Sequence, residues 1–297
     1  MSGIVIRRCT LVVQDVRRAV AFYRDTLGFP LLREQMLTLD GKIIPAGLPG
    51  ARAHLAVIDA GSMELGLLQW TDPLLAKPAD PYPIRLGVGE RVFVMEAPDV
   101  AALSTRLRTV HEVRIHCPLH AWSVPAPDGG KVEMTSLSFF DSDGFFGEIH
   151  QKRNGPNPPR LTLKRTTLIV RDIPASLAFY RDALGMTVVS DITVPFGSEI
   201  LPANVPGAKA RVVVLKGADP AVGMIGLLCF LDPPLDSPEE VRHHIGIGDT
   251  LFTADAEDVP AIHARLKDSA GRIHAGPATS FFDPDGYFFE LTNRARP

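Results

Sequence analysis

Apolar positions near the start of the chain follow two different periods in turn. The stretch CTLVV at Cys9–Val13 is rich in β-branched residues, which favours a strand. In the following VRRAVAFYRDTLG, apolar residues recur at three- and four-residue steps, the period of a helix. Asp15 precedes this segment as a predicted N-cap, and Gly28 ends it as a predicted C-cap. The pattern therefore predicts a strand followed by a capped helix.

Three strand candidates follow this helix, at Leu31–Met36, Ala53–Ile58 and Glu64–Trp70. The order is βαβββ, and we call such a unit a module. A second module follows, with a less regular pattern. RVFVME predicts its first strand, and PDVAALSTRLRTV predicts a helix that begins after an aspartate. Its last three strands are predicted in WSVPAP, GKVEMTSLSFFD and FFGEIHQ.

The whole two-module pattern occurs twice. RCTLVVQDVRRAVAFYRDTLG at 8–28 returns as RTTLIVRDIPASLAFYRDALG at 165–185, and FFDSDGFFGEIHQ at 139–151 returns as FFDPDGYFFELTN at 281–293. The segment KRNGPNPP at Lys152–Pro159 separates the repeats, since its Gly, Asn and Pro residues disfavour regular structure. We predict an α+β fold of two domains, 1–153 and 160–297, each with two modules around one curved mixed sheet.

Composition narrows the class of protein. The chain has 297 residues, of which 45% are hydrophobic and 22% are charged, as in a soluble globular protein. The net charge of −3 argues against nucleic acid or an anionic membrane as a partner. Three widely spaced cysteines make no disulfide framework, and we find no signal-peptide pattern or membrane-spanning apolar run. We therefore expect a cytoplasmic protein, and the sequence leaves open whether it forms a homodimer.

The repeated AFYRD.LG and the ending FFDPDGYFFEL together resemble the vicinal oxygen chelate superfamily. This superfamily contains glyoxalase I, extradiol dioxygenases, and the bleomycin and fosfomycin resistance proteins. The resemblance covers nearly the whole chain and implies two tandem glyoxalase-like domains. It also implies a cleft in each domain that binds a small molecule, usually through a divalent metal that chelates two neighbouring substrate oxygens.

The residues at the metal-ligand positions that the resemblance implies do not suit a metal. On the first strand of each repeat the position is an arginine, Arg8 and Arg165, whose protonated guanidinium has no lone pair to offer. The next two positions read Gly66 and Val92 in the first repeat and Gly226 and Leu251 in the second. Only the last position keeps a donor, as Glu148 and Glu290. We predict no bound metal or other cofactor; the alternative is a displaced divalent-metal site formed by Glu148, His150 and Glu64.

Each arginine puts a permanent cation at the metal position, opposite the remaining glutamate. We expect Arg8 to face Glu148 and Arg165 to face Glu290. One interpretation is a buried ion pair that only preserves the shape of the cleft. The other is that the arginine binds a substrate carboxylate, enolate or phenolate. The resemblance implies that the glutamate then acts as a general base, with His150 and Glu64 as further substrate-binding candidates.

Two classes of function remain open. The first is an enzyme that acts on a small oxygen-rich or aromatic metabolite without the metal, as an isomerase, a lyase or a dioxygenase relative. The second is a binding or resistance protein that sequesters a small molecule without catalysis. A metal-dependent glyoxalase or extradiol dioxygenase with displaced ligands is a further alternative. A polar pair at the floor of the cleft would favour the enzyme, and a wholly apolar lining would favour the binding protein.

Overall fold

The computed structural model describes residues 3–38, 50–75, 86–125, 130–196, 207–219, 221–235, 241, 245–267, 269, 271–275 and 280–293. Within these ranges no helix is both long and apolar enough to cross a membrane.

The first repeat folds as two modules, as predicted. The strands of the first module are β1 Val5–Val12, β2 Leu31–Thr38, β3 Arg52–Asp59 and β4 Glu64–Asp72. Its helix α1, Val16–Val20, continues into a wider π-helical segment, Ala21–Thr26, and is capped by Asp15. The second module has helix α2, Val100–Leu107, and four strands: β5 Arg91–Glu96, β6 Arg114–Pro125, β7 Lys131–Phe140 and β8 Phe146–Lys152.

The second repeat has the same order of elements. The third module contains α3 Ile173–Leu177, a π-helical segment Ala178–Ala183, and strands β9 Thr162–Ile169, β10 Thr187–Phe196, β11 Ala208–Lys216 and β12 Met224–Asp232. The fourth module contains α4 Val259–Lys267 and strands β13 Thr250–Ala256, β14 Arg272–Ala275, β15 Ser280–Phe282 and β16 Phe288–Asn293. The prediction of four βαβββ modules is confirmed.

The modules pair across the repeats, which corrects our prediction that each repeat builds its own sheet. Sheet A has the strand order β14-β15-β16-β13-β1-β4-β3-β2, so it joins the first module to the fourth. Sheet B has the order β10-β11-β12-β9-β5-β8-β7-β6 and joins the second module to the third. The connection between β8 and β9 covers only residues 153–161. Because short connections keep consecutive elements adjacent, β9 lies in the same sheet as β8.

One apolar core serves both sheets. It contains alternate residues of strands from sheet A and sheet B, together with residues of all four helices. The opposite, open face of each sheet has its own smaller apolar cluster, around Trp70 and Phe288 in sheet A and around Phe146 and Phe230 in sheet B. Since side chains alternate along a strand, every strand has one set of residues in the shared core and one set on an open face.

The two turns DSDG and DPDG join the modules of a repeat although these modules lie in different sheets. The hydroxyl of Tyr23, after α1, donates to Asp141 at 2.8 Å, and that of Tyr180, after α3, donates to Asp283 at 2.7 Å. Burial, reinforced by Asp143, raises the pKa of Asp141 to about 7. These residues thus belong to the shared core and not to either open face.

Candidate functional site

Strand register places one row of side chains across the open face of sheet A. Arg8 on β1 lies beside Glu64 on β4 and beside Thr253 on β13. Thr253 in turn lies beside Glu290 on β16. Successive side chains of a strand point to opposite faces of the sheet. Because Cys9 belongs to the shared core, Arg8 lies on the open face. The order Glu64, Arg8, Thr253, Glu290 is called row A.

The same register recurs in sheet B. Arg165 on β9 lies beside Met224 on β12 and Val94 on β5, and Val94 lies beside Glu148 on β8. The order Met224, Arg165, Val94, Glu148 is called row B. Each row thus contains one of the predicted arginines and one of the predicted glutamates.

The arginine and glutamate of a row come from different repeats, and this corrects our predicted pairing. Arg8 shares a row with Glu290, and Arg165 shares a row with Glu148. We had expected Arg8 to face Glu148 and Arg165 to face Glu290, because we assumed that the two modules of one repeat form one sheet. The repeated pattern identifies the four modules but contains no information on which two pair.

In each row, two of the ligand positions that we had inferred were also wrong by two residues along the strand. Row A passes through Glu64 and Thr253, not through Gly66 and Leu251. Gly66 lies beside Thr10, and a Cβ atom on it would come within 2.5 Å of the Thr10 hydroxyl. The glycine is therefore required for close strand packing and does not mark a lost ligand. In row B the corresponding residues are Met224 and Val94, where we had placed Gly226 and Val92.

Row A is a network of mutual ion pairs. Arg33 on β2 donates two hydrogen bonds to the Glu64 carboxylate, both at 2.9 Å. Arg8 lies 3.8 Å from the same carboxylate and also donates to the hydroxyls of Thr10 and Thr253, at 3.1 and 3.2 Å. Burial raises the pKa of Glu290, and the nearby charge of Arg8 opposes this shift. The carboxylate of Glu64 is thus already engaged by two guanidinium groups.

Row B is deeper and more apolar. Glu148 is only 7% exposed. Burial would raise the pKa of its carboxyl, but His150, Arg165 and His120 together hold that pKa below its usual range. Arg165 donates from Nε to the Thr167 hydroxyl at 3.1 Å. The carboxylate therefore stays ionised and can accept a proton, although its lowered pKa makes it a weaker base than an ordinary glutamate.

The two oxygens of Glu148 have different surroundings. Oε2 lies 3.4 Å from Nε2 of His150. Oε1 is buried and, among the described residues, has no hydrogen-bond partner. A buried carboxylate oxygen without a partner is costly, and such sites are often completed by a ligand.

His150 is fixed from its other side by residues that the sequence analysis missed. Its Nδ1 lies 2.6 Å from the Ser136 hydroxyl oxygen, which also accepts a hydrogen bond from the Trp122 indole at 2.6 Å. Ser136 and Ser138 alternate with apolar residues in TSLSFF, and this alternation was the available signal for polar residues on the open face. Trp122 had no comparable signal.

A small cavity lies beside row B, with a volume of about 40 Å³. Its polar lining comes from Glu148, Arg165 and Thr167, and its apolar lining comes from Val92, Val94, Val212 and Leu228. The cavity therefore combines one cation, one carboxylate and a compact apolar wall.

The displaced metal site that we had considered does not form. Glu148 and His150 belong to sheet B, whereas Glu64 belongs to sheet A and pairs with Arg33. Within the described part of the chain, no three His, Cys, Asp or Glu side chains are grouped so that they could hold a metal ion.

The family metal also does not fit either row. Row B offers one carboxylate, while Arg165, Val94 and Met224 provide no oxygen or nitrogen ligand that suits a divalent ion. Row A has two carboxylates, but the cation of Arg8 lies between them and Arg33 engages one. A guanidinium next to a dication is repulsive, so both the ligand count and the charge oppose a metal.

Two solved structures share the fold over nearly the whole length of this chain. Glyoxalase I from Zea mays is 19% identical, with a TM-score of 0.61 over 98% of this chain and 92% of that one. A putative dioxygenase from Bacillus subtilis subsp. subtilis str. 168 is 15% identical, with a TM-score of 0.55 over 99% of this chain and 86% of that one. At these identities the likeness shows the fold alone. No curated protein gives a significant match.

One family model matches the sequence of both repeats. The model of the Glyoxalase/Bleomycin resistance protein/Dioxygenase superfamily matches residues 5–146 and again residues 162–291. The two matches correspond to the two repeats and together cover most of the chain. The chain therefore belongs to the Glyoxalase/Bleomycin resistance protein/Dioxygenase superfamily.

Proposed function

We propose that the row B cavity binds a small oxyanionic compound and that Glu148 transfers a proton on it without a metal. The observation that carries this proposal is that Glu148 lines the same cavity as Arg165 and that its buried Oε1 has no partner among the described residues. The protein is then an enzyme of the isomerase or lyase type.

The proton-transfer step uses only residues of this chain. A substrate carbonyl or enolate oxygen accepts hydrogen bonds from the Arg165 guanidinium. Oε1 of Glu148 takes a proton from the carbon next to that carbonyl, and the electron pair of the broken C–H bond moves to the oxygen. Arg165 stabilises the resulting enolate. Return of the proton to the enolate oxygen completes a keto–enol tautomerisation, an isomerisation that needs no oxidant or reductant.

The cavity wall indicates the class of substrate. Val94, Val212 and Leu228 present aliphatic surface, and the volume of about 40 Å³ admits a compact apolar group. One guanidinium serves one anionic or polarised oxygen group. We therefore expect a 2-oxo acid or a β-dicarbonyl compound with a short aliphatic substituent.

Row A has a structural role in this proposal. Its Glu64 is engaged by Arg33 and Arg8, and Arg8 is held by Thr10 and Thr253. A substrate oxyanion would have to replace these contacts of Arg8. In row B the base and the cation border a cavity.

Deuterium exchange tests the proposal. Protein stripped with a chelator is incubated in D₂O with a panel of 2-oxo acids and β-dicarbonyls, and NMR follows loss of the exchangeable C–H signals. We expect exchange that falls roughly 10²–10⁴-fold in Glu148→Gln, the usual contribution of a general base, and that survives in the matched row A variant Glu290→Gln. Exchange that disappears with the chelator, or equally in both variants, would overturn the proposal.

A second candidate is a binding protein without catalysis. The four aliphatic residues of the cavity lining favour it, because they suit retention of an apolar group. It predicts that panel compounds bind to wild-type protein, as seen by calorimetry, while none exchanges its C–H protons. Replacement of Arg165 would then abolish binding, and Glu148→Gln would leave it unchanged.

Two further expectations belong to the proposal. The cysteines Cys9, Cys117 and Cys229 are buried thiols that form no disulfide, which supports a reducing compartment such as the cytoplasm. A homodimer remains compatible with the fold, and light scattering of the purified protein measures it.

A further inference from the structure

We infer that Trp122, Ser136 and His150 form a positioning relay that fixes the proton of His150 on Nε2. The relay holds Oε2 of Glu148 and leaves Oε1 for the substrate. The inference rests on the proposed function for the role of Glu148, although the state of the relay can be measured without any substrate.

The direction of the hydrogen bonds follows from donor and acceptor counts. The Trp122 indole can only donate, so it donates to the Ser136 oxygen at 2.6 Å. Ser136 has one hydroxyl hydrogen, and Nδ1 of His150 lies 2.6 Å away. If Ser136 donates to Nδ1, a neutral His150 must carry its proton on Nε2, and Nε2 faces Glu148. Every member then has a partner.

Because Ser136 and His150 are buried, only one tautomer of His150 satisfies all of these hydrogen bonds. Ser136 has no exposed surface, and His150 is 6% exposed. Water cannot readily replace either hydrogen bond, so a wrong tautomer would leave a buried polar group unpaired. The Trp122 ring lies 5.5 Å from the His150 ring between centroids and restricts its rotation by packing.

Sheet A lacks this relay at the aligned position. Thr292 stands where sheet B has His150, and its hydroxyl donates to Asp255 at 2.6 Å. In the sequence, Ala278 aligns with Ser136, outside the described residues. The relay therefore lies in a row that borders a cavity.

The consequence is a Glu148 carboxylate that is held at one oxygen only. The contact of 3.4 Å between Nε2 and Oε2 is long for a hydrogen bond, and such contacts tighten when a ligand completes the site. Trp122, Ser136 and His150 are thus positioning residues that act through Glu148.

The tautomer of His150 is measured by long-range ¹H–¹⁵N NMR on the full chain without ligand, with His150→Gln to assign its signals. We expect a protonated Nε2 and an unprotonated, hydrogen-bonded Nδ1 in the wild type. Ser136→Ala should remove this preference, and His111→Gln, at an exposed turn, should not change it. A proton on Nδ1, or an unchanged tautomer in Ser136→Ala, would overturn the inference.

Activity provides a second readout that separates the two proposals. In Ser136→Ala we expect kcat for C–H exchange to fall about 10-fold, a fraction of what general-base catalysis supplies, with little change in KM. Ser136→Thr keeps a hydroxyl and should recover the tautomer, which distinguishes the relay from general loss of packing. The predicted tautomer without C–H exchange would reject only the proposed function. Exchange that Ser136→Ala leaves unchanged would reject the relay.

Discussion

Arg165 and Glu148 line one cavity, although Arg165 belongs to the first strand of the second repeat and Glu148 to the last strand of the first. Val94 of β5 lies between them in the strand register. The candidate site therefore exists only because the two repeats share sheet B.

Cutting the connection between the repeats should leave the halves together. With a protease site inserted at Gly155–Pro156, in the exposed segment between β8 and β9, the backbone hydrogen bonds of β1 with β13 and of β5 with β9 still join the two pieces. We expect the nicked protein to elute as one species in size-exclusion chromatography. Two separately folded monomers would contradict the shared sheets.

Replacement of Arg165 should weaken anion binding far more than replacement of Arg8. A hydrogen bond to a charged group contributes about 1.5–3 kcal/mol, so Arg165→Gln should raise the Kd of a panel compound roughly 10- to 100-fold. Arg8→Gln is the matched control, since Arg8 already pairs with Glu64. Calorimetry measures both, and equal losses would place the binding site elsewhere.

Exchange of Arg165 for histidine should create a metal site. Arg165→His removes the cation and adds an imidazole in the row of Glu148, with His150 two residues further along β8. Glu148 and the new imidazole supply two donors, and His150 supplies a third when its proton moves from Nε2 to Nδ1, which reaches the ligand number of a catalytic zinc site. We expect the variant to bind Zn²⁺ or Ni²⁺ at least about tenfold more tightly than wild type, since loss of charge repulsion adds to the new ligand. Equal metal affinity of the two proteins, measured by competition with a chelating dye, would contradict this.

The buried turn aspartates should make the protein less stable as the pH rises. Burial, with a smaller effect of Asp143 and Asp285, raises the pKa values of Asp141 and Asp283 to about 7. Because the folded pKa lies above the unfolded one, their contribution is present below about pH 4 and is lost as the pH rises to about 7, by up to about 4 kcal/mol per group.

Asparagine at both positions should flatten this dependence. Urea unfolding between pH 4 and pH 7 compares the Asp141→Asn/Asp283→Asn variant with wild type, and Asp25→Asn on an exposed segment serves as the control. A wild-type free energy of unfolding that changes with pH in the same way as that of the double variant would refute the assignment.

The sequence was sufficient for the modules and insufficient for their pairing. Alternation and helical spacing predicted β1 and α1, since these depend on local residue patterns. Pairing depends on which first strands meet, and all four modules offer a similar first strand. The short connection at 153–161 contains the relevant information, but we interpreted it only as a boundary.

The site was predicted in part for the same reason. Arg8, Arg165, Glu148 and Glu290, the positions that the family resemblance implied, all lie in the two rows. Ser136 lies directly opposite His150 on the neighbouring strand, whereas the place of Trp122 depends on bulges in β6, where the register with β7 shifts between Cys117 and His120. Such shifts are not visible in a period-two pattern.

Carboxyl ¹³C chemical-shift titration of Glu148 and Glu290 is the most direct test of the site across the repeats. It is recorded for wild type, Arg165→Gln and Arg8→Gln. Since Arg165 helps to lower the pKa of Glu148 and Arg8 helps to lower that of Glu290, each replacement should raise the pKa of the glutamate in its own row only. If Arg8→Gln raises the pKa of Glu148 and Arg165→Gln does not, the arginine and glutamate pair within one repeat and the account is wrong.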